Sequence, residues 1–299
     1  MHNRTSQIIY KVALPSEMAV DCATVDIFIL LSNALTILTF RKLKDLKIQH
    51  YYMIGLIGSD LTILIVNTIA TVFFILGEIR MTDTTCFLLG SLFVVAAAIT
   101  AMIHTCFSID RWVSVAYPTT YRNLSSSKKF HMLTIIVITM IHIIPWPLLF
   151  LTWYTEQVNF YFEPYVPFCI RESGEKGNVG VYLGLIIKLV LPCLIEVPSN
   201  TYIIWKITML KGANKAWTLK AVRTVLVTLG VYYICWLPMC VWTMWDIVSP
   251  NKGSPGWLRF SAIQILNVNS GMSFLIYYLT LQNFRETFLA MLSKCCRKT

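Results

Sequence analysis

Few ionisable side chains lie within the long apolar stretches of this sequence, and those few carry most of its chemical possibilities. Asp60 sits in Gly-Leu-Ile-Gly-Ser-Asp-Leu-Thr-Ile-Leu-Ile, and Asp110 and Arg111 stand side by side where another such stretch ends. Lys188 and Glu196 are eight residues apart, near one face if the segment is helical, and His104 and His142 complete the set. A charge in apolar surroundings needs a partner or a bound ion, and it suggests function by default. An adjacent carboxylate and guanidinium form a pair that can be held closed or released. Asp60, His104, Lys188 and Glu196 together could instead line a proton or ion path. No nucleophile–base pair, metal-ligand spacing or phosphate-binding GxxxxGK[ST] occurs, so the expectation is a protein that is not an enzyme.

The elements that must position these groups are read from composition. Of 299 residues, 56% are hydrophobic and 13% charged, with mean hydropathy +0.63. Soluble domains carry about 25% charged residues, so lipid is the expected solvent. Seven stretches reach the roughly 20 apolar residues that a membrane helix needs: 20–40, 52–76, 87–115, 130–151, 179–205, 221–248 and 257–279. Apolar residues run continuously in them rather than alternating, which argues against the strands of a membrane β-barrel. The fold class expected is an all-α seven-helix membrane bundle, forming one domain over residues 1–299. Its N-terminal segment would be 1–19, its spans 20–279, and its tail 280–299.

The net charge of +10 is unevenly placed. Sixteen Lys and Arg fall on the side opposite the N-terminus and seven on the side with it. The positive-inside rule then puts the N-terminus outside a plasma membrane and the C-terminus in the cytosol. The basic charge reads as contact with anionic lipid, not nucleic acid. Asn3-Arg4-Thr5 is a glycosylation acceptor on the outer side. Loops are short, about 41–51, 116–129 and 206–220 on the inner side, and no similarity relates the two halves as in many transporters. Residues 282–291 read as an amphipathic helix on the membrane surface. Cys295-Cys296 beyond it are either palmitoylated or free thiols.

These features, taken with a set of short motifs, resemble the rhodopsin-like (class A) G-protein-coupled receptors over nearly the whole chain. The motifs are Ser32-Asn33 in span one, Leu56 to Asp60 in span two, Asp110-Arg111-Trp112 closing span three, and Pro192 in span five. They continue with Cys235-Trp236-Leu237-Pro238 in span six, Asn269-Ser270 and Tyr277 in span seven, and Phe284-Arg285 after it. The resemblance implies a disulfide between Cys86 and Cys169. It also implies a coupling switch of Asp110, Arg111, Trp112 and Tyr277, and a hinge of Tyr232, Cys235, Trp236 and Pro238. A polar site of Asp60, Thr100, Asn269 and Ser273 would follow, holding either a sodium ion or only hydrogen bonds. Pro238 supports the hinge independently, because proline removes a backbone bond and kinks a helix.

The sequence departs from the family in places. Asn-Pro-x-x-Tyr becomes Ser273-Phe274-Leu275-Ile276-Tyr277, so span seven should lack its kink. Asn200 replaces a Tyr, Ile138 a Trp, Tyr232 a Phe, and His104 an apolar residue. Thr218 stands where resting receptors often carry an acid that holds the Arg, and 206–245 contains no Asp or Glu. Arg111 is therefore expected to have Asp110 as its one charged restraint.

The resemblance implies an extracellular ligand and a heterotrimeric G protein as partners. The ligand pocket would be Phe93, Val94, Gly184, Lys188, Met239, Cys240, Trp242, Thr243, Ile263 and Asn267. Phe93 removes the aminergic Asp, and Asn267 removes the retinal Lys. A peptide or a small neutral or anionic molecule remains. Lys188 either meets a ligand's acid or pairs within the bundle. The competing expectations are a transporter or channel, and a receptor-fold partner that does not signal.

Overall fold

The computed structural model describes residues 9–10, 16–43, 48–76, 79–80, 83–144, 160–162, 169–171, 190–209, 213–249 and 254–296. Among these residues nine helices form: α1 (Ser16–Phe40), α2 (Ile48–Leu76), α3 (Asp83–Ala116), α4 (Pro118–Ser125), α5 (Lys128–Ile143), α6 (Leu191–Met209), α7 (Ala213–Val248), α8 (Gly256–Thr280) and α9 (Gln282–Cys296). Four described helical segments are long and apolar enough to cross a membrane unaided: Glu17–Phe40, His50–Val72, Leu88–Ala116 and Leu226–Asp246. They belong to α1, α2, α3 and α7. Helix α8 is as long as α1, but Gln264, Asn267, Asn269, Ser270 and Ser273 dilute its apolar character. Spans four and five are described in part, by α5 and α6.

The ends of the helices differ from the hydropathy boundaries. Helix α7 begins at Ala213 rather than 221, and α6 runs to Met209, so the loop expected at 206–220 is mostly helical. Hydropathy records where hydrocarbon ends, whereas a helix continues as long as its backbone bonds do. The loop expected at 116–129 contains α4, which opens on Pro118, a residue suited to the first helical turn. Helix α4 turns 86° from α5. Two small antiparallel ladders lie outside the spans: β1 (Ile9–Tyr10) with β2 (Ile79–Arg80), and β3 (Phe160–Phe162) with β4 (Cys169–Arg171).

The bundle is apolar outside as well as inside, as lipid requires: Leu30, Leu31, Ile65, Leu194, Ile234 and Leu237 are exposed. Two clusters fill the interior. One gathers Ile63, Val66, Phe93, Trp236, Trp242 and Ile263. The other gathers Phe40, Met53, Leu56, Ile103, Phe107, Tyr277 and Phe284. Small residues let helices approach: Ala96, Ala97 and Ala101 of α3 are all buried. At Gly271 a Cβ would meet the Phe28 ring of α1. That close approach lets Ser32 donate to the Gly271 carbonyl and Asn33 Nδ2 to the Ser270 carbonyl at 3.0 Å. Span seven is thereby fastened to span one.

Candidate functional site

The sequence-nominated residues fall at three levels of the bundle. At the C-terminal end of α3, Asp110 and Arg111 are 6% and 8% exposed. Arg111 Nε donates to Asp110 Oδ2 at 2.9 Å, and Nη2 closes a second bond to the same oxygen. Tyr121 of α4 joins them. Its hydroxyl donates to Asp110 Oδ1 at 2.9 Å and accepts from Arg111 Nη2 at 2.8 Å. The guanidinium also stacks over the Phe107 and Tyr121 rings, at 5.9 and 5.7 Å, a cation–π arrangement. Burial pushes the Tyr121 phenol above its usual range, against the lowering pull of Arg111. Tyr121 therefore stays a hydrogen-bond donor. Asp110 is thus a charged restraint on Arg111, as expected, and Tyr121 adds a neutral hydrogen-bond partner beside it.

Trp112 stands apart from this clasp, edge-on to Tyr117 and to Tyr202 of α6 at 6.1 and 6.2 Å. Tyr277 is also elsewhere, in the floor of the middle level. There Asp60, Thr100, Asn269 and Ser273 line one cavity of about 10 Å³ with Leu56, His104, Thr228, Ile276 and Tyr277. That volume holds about one water-sized particle. Ser273 Oγ donates to Asp60 Oδ2 at 3.4 Å. Among the described residues no cationic side chain pairs with Asp60. A second cavity of about 10 Å³ shares Thr100 and Asn269 and adds Trp236, Ser270 and Ile63. The two cavities link the Asp60 level to the hinge tryptophan, whose Nε1 has no hydrogen-bond partner among the described residues.

The hinge residues adjoin this seam. Tyr232 is buried against the His104 ring at 4.6 Å and the Trp236 ring at 5.5 Å. Cys235 is buried beside them, and Pro238 lies inside α7. His104, which the sequence marks as an ionisable residue in a span and as a departure from the family, is thus part of both the cavity wall and the hinge packing.

At the third level Phe93, Trp242, Ile263 and Asn267 are buried, while Val94, Met239, Cys240 and Thr243 are half-buried. Asn267 Oδ1 has no hydrogen-bond partner among the described residues, as expected of a group left for a ligand or water. Trp242 turns its indole N–H to Asp246 Oδ2 at 2.6 Å, and Asp246 in turn accepts from the Ser254 backbone N–H at 2.9 Å. Gly184, Lys188 and Asn3 lie outside the described residues. So do the side chains of Cys86, Cys169, Cys295 and Cys296.

Two features escaped the sequence reading. Tyr121 lies in a polar connection where hydropathy has no signal. Its place eleven residues after Asp110 (on a helix opened by proline) is the clue available. The other is the hydrogen-bond set of Glu196, whose partners come from α3 and α7.

A family model described as 7 transmembrane receptor (rhodopsin family) matches residues 32–277. Sphingosine 1-phosphate receptor 1 of Danio rerio is 23% identical over 279 residues, covering 89% of this chain and 75% of that one. G-protein coupled receptor 183 of Rattus norvegicus is 23% identical over 275 residues, 84% and 74% of the two chains. Adenosine receptor A2a of Homo sapiens is 29% identical over 69 residues, 23% and 17%. With its motifs in register on the helices described above, the chain is a multi-pass membrane receptor, not an enzyme, and belongs to the rhodopsin family of seven-transmembrane receptors.

Proposed function

We propose that this receptor sits in the plasma membrane with its N-terminus outside, binds a small organic ligand there, and promotes nucleotide exchange on heterotrimeric G proteins. The observation that carries the reading is the buried clasp of Asp110, Arg111 and Tyr121 at the end of α3. A guanidinium held by the Asp110 carboxylate and the Tyr121 phenol is a group that can be released to a partner. Ligand binding would favour the arrangement in which the N-terminal half of α7 swings about Pro238, through a difference in affinity between the two states. A small ligand is favoured over a peptide because similar receptors are named for sphingosine 1-phosphate and adenosine. The largely apolar Phe93–Trp242–Ile263 level suits such a molecule, and Lys188 would meet an acidic group on it. The test is nucleotide exchange by purified receptor in lipid discs across a panel of Gα classes, with and without lipid and nucleoside pools. Acceleration on at least one class is expected. None on any class, in any condition, would sink the reading.

A sodium ion is the proposed occupant of the Asp60 cavity, held by Asp60, Thr100, Asn269 and Ser273. The fit rests on a buried carboxylate with hydroxyl neighbours and a cavity for one small particle. Its positive charge would balance Asp60 and favour the packed resting bundle. Ion binding stabilises by mass action, about 1 kcal/mol where the ion is several-fold above its dissociation constant. The receptor is therefore expected to melt higher in NaCl than in N-methylglucamine chloride at equal ionic strength. Asp60→Asn removes the difference, and a difference that survived this substitution would place the ion elsewhere.

A further inference from the structure

Glu196 has no part in the machinery described so far, yet it is wholly buried on α6, four residues past Pro192. Burying a carboxylate is costly unless its oxygens are hydrogen-bonded. Both are. The Thr105 hydroxyl of α3 lies 2.9 Å from Oε1, and the Tyr233 hydroxyl of α7 donates to Oε2. One turn along α6, Asn200 Nδ2 donates both to the Glu196 carbonyl at 2.7 Å and to Ser108 Oγ of α3 at 3.0 Å. Helix α6 is thus pinned to α3 by side chains at two levels, and the carboxylate is aimed from that fixed pair at α7.

The position of Tyr233 gives this junction its consequence. It lies three residues before Trp236 and five before Pro238, on the half of α7 that leads back toward the Arg111 end. Its neighbour Tyr232 packs edge-on to it at 5.3 Å and against His104 and Trp236. Movement of that half about Pro238 must carry Tyr233 with it, while Glu196 stays with α3 and α6.

We propose that the Tyr233–Glu196 hydrogen bond is a second restraint on α7 in the resting receptor, standing in for the acid missing at Thr218. Glu196 is then a positioning residue: it is anchored by Thr105 and must release Tyr233 before the hinge opens. The proposal rests on the signalling reading above, and its test separates the two. Tyr233→Phe removes one hydroxyl and little volume. It is expected to raise ligand-free nucleotide exchange about three- to tenfold, the range of one net hydrogen bond. It should also lengthen the distance between fluorophores on α4 and on the first turn of α7, measured without any G protein. Thr105→Val acts in the same direction but less, because Glu196 loses its anchor and keeps its target. Glu196→Gln, which preserves volume, matches Tyr233→Phe, and the double variant adds little, as expected for two ends of one contact.

If the fluorophores separate but no Gα class responds, the restraint stands and the signalling reading fails. If Tyr233→Phe melts like the parent receptor and changes neither exchange nor distance, the restraint is overturned. A fall in basal exchange overturns it as well, since the bond would then belong to the active arrangement.

Discussion

Asp110→Asn raises ligand-free nucleotide exchange about tenfold or more, up to the ceiling set by full activity. Arg111 is buried and bonded twice to one Asp110 oxygen, while Tyr121 bonds the other. Hydrogen bonds between charged groups contribute about 1.5–3 kcal/mol each, and about 1.4 kcal/mol is a factor of ten in an equilibrium. Removing the carboxylate's charge also takes charge compensation from a buried guanidinium, which drives it toward solvent or a partner. Tyr121→Phe costs one neutral bond, about 0.5–1.5 kcal/mol, so its gain is smaller. The two substitutions together should fall short of the product of their separate effects, because they share one network. The sign of the pH dependence follows from the phenol. Its pKa is raised in the folded receptor, so its bond is present below the ordinary tyrosine value of about 10 and is lost only as pH rises through the higher folded value. Tyr121 thus adds no slope to basal activity between about pH 6 and 8. GTPγS binding to reconstituted receptor measures all of this, and a silent receptor unchanged by Asp110→Asn would refute the clasp.

How much of this was legible beforehand follows from what kind of signal each residue leaves. Asp60, Trp236, Pro238 and Tyr277 were legible because each belongs to a motif fixed in register on one helix. The seven spans were legible because hydrocarbon demands length and apolarity, quantities that a window reads directly. Tyr121 and α4 were not, since a short helix lying against the end of a bundle is neither apolar nor long. Glu196 was visible as an ionisable residue in a span, and helical spacing pointed to Lys188 as its companion. Its observed partners are on α3 and α7, 91 and 37 residues away, and no periodicity within one helix can reveal those. His104 was visible as an ionisable residue in a span and as a departure from the family. Its meaning came from the cavity wall it shares with Asp60 and from the Tyr232 ring it packs against.

Restoring the family's proline in span seven harms this receptor. Phe274 occupies that position within α8, which runs from Gly256 to Thr280. The ring is not a passive replacement. It packs at 5.0 Å on Phe288 and 5.8 Å on Phe284, both on α9, and stacks on Tyr278 at 6.1 Å. Phe284 also meets Phe40 of α1 and Tyr277 at 5.4 and 5.9 Å, so these rings tie spans one and seven to the surface helix. The Phe274 N–H faces Ser32 Oγ at 3.4 Å, beside the Ser32 and Asn33 bonds to α8. Phe274→Ala removes a half-buried ring, toward the low end of the roughly 3–5 kcal/mol for a fully buried one. Phe274→Pro removes the same ring, takes away the backbone donor and adds a clash with the preceding turn, about 3 kcal/mol more in a helix interior. The expected order of melting temperatures is parent, then Ala, then Pro. Hydrogen exchange in α9 should rise in that same order as its aromatic anchor is lost. A proline variant as stable as the parent, with α9 equally protected, would show that the aromatic cluster has not taken over the role of the kink.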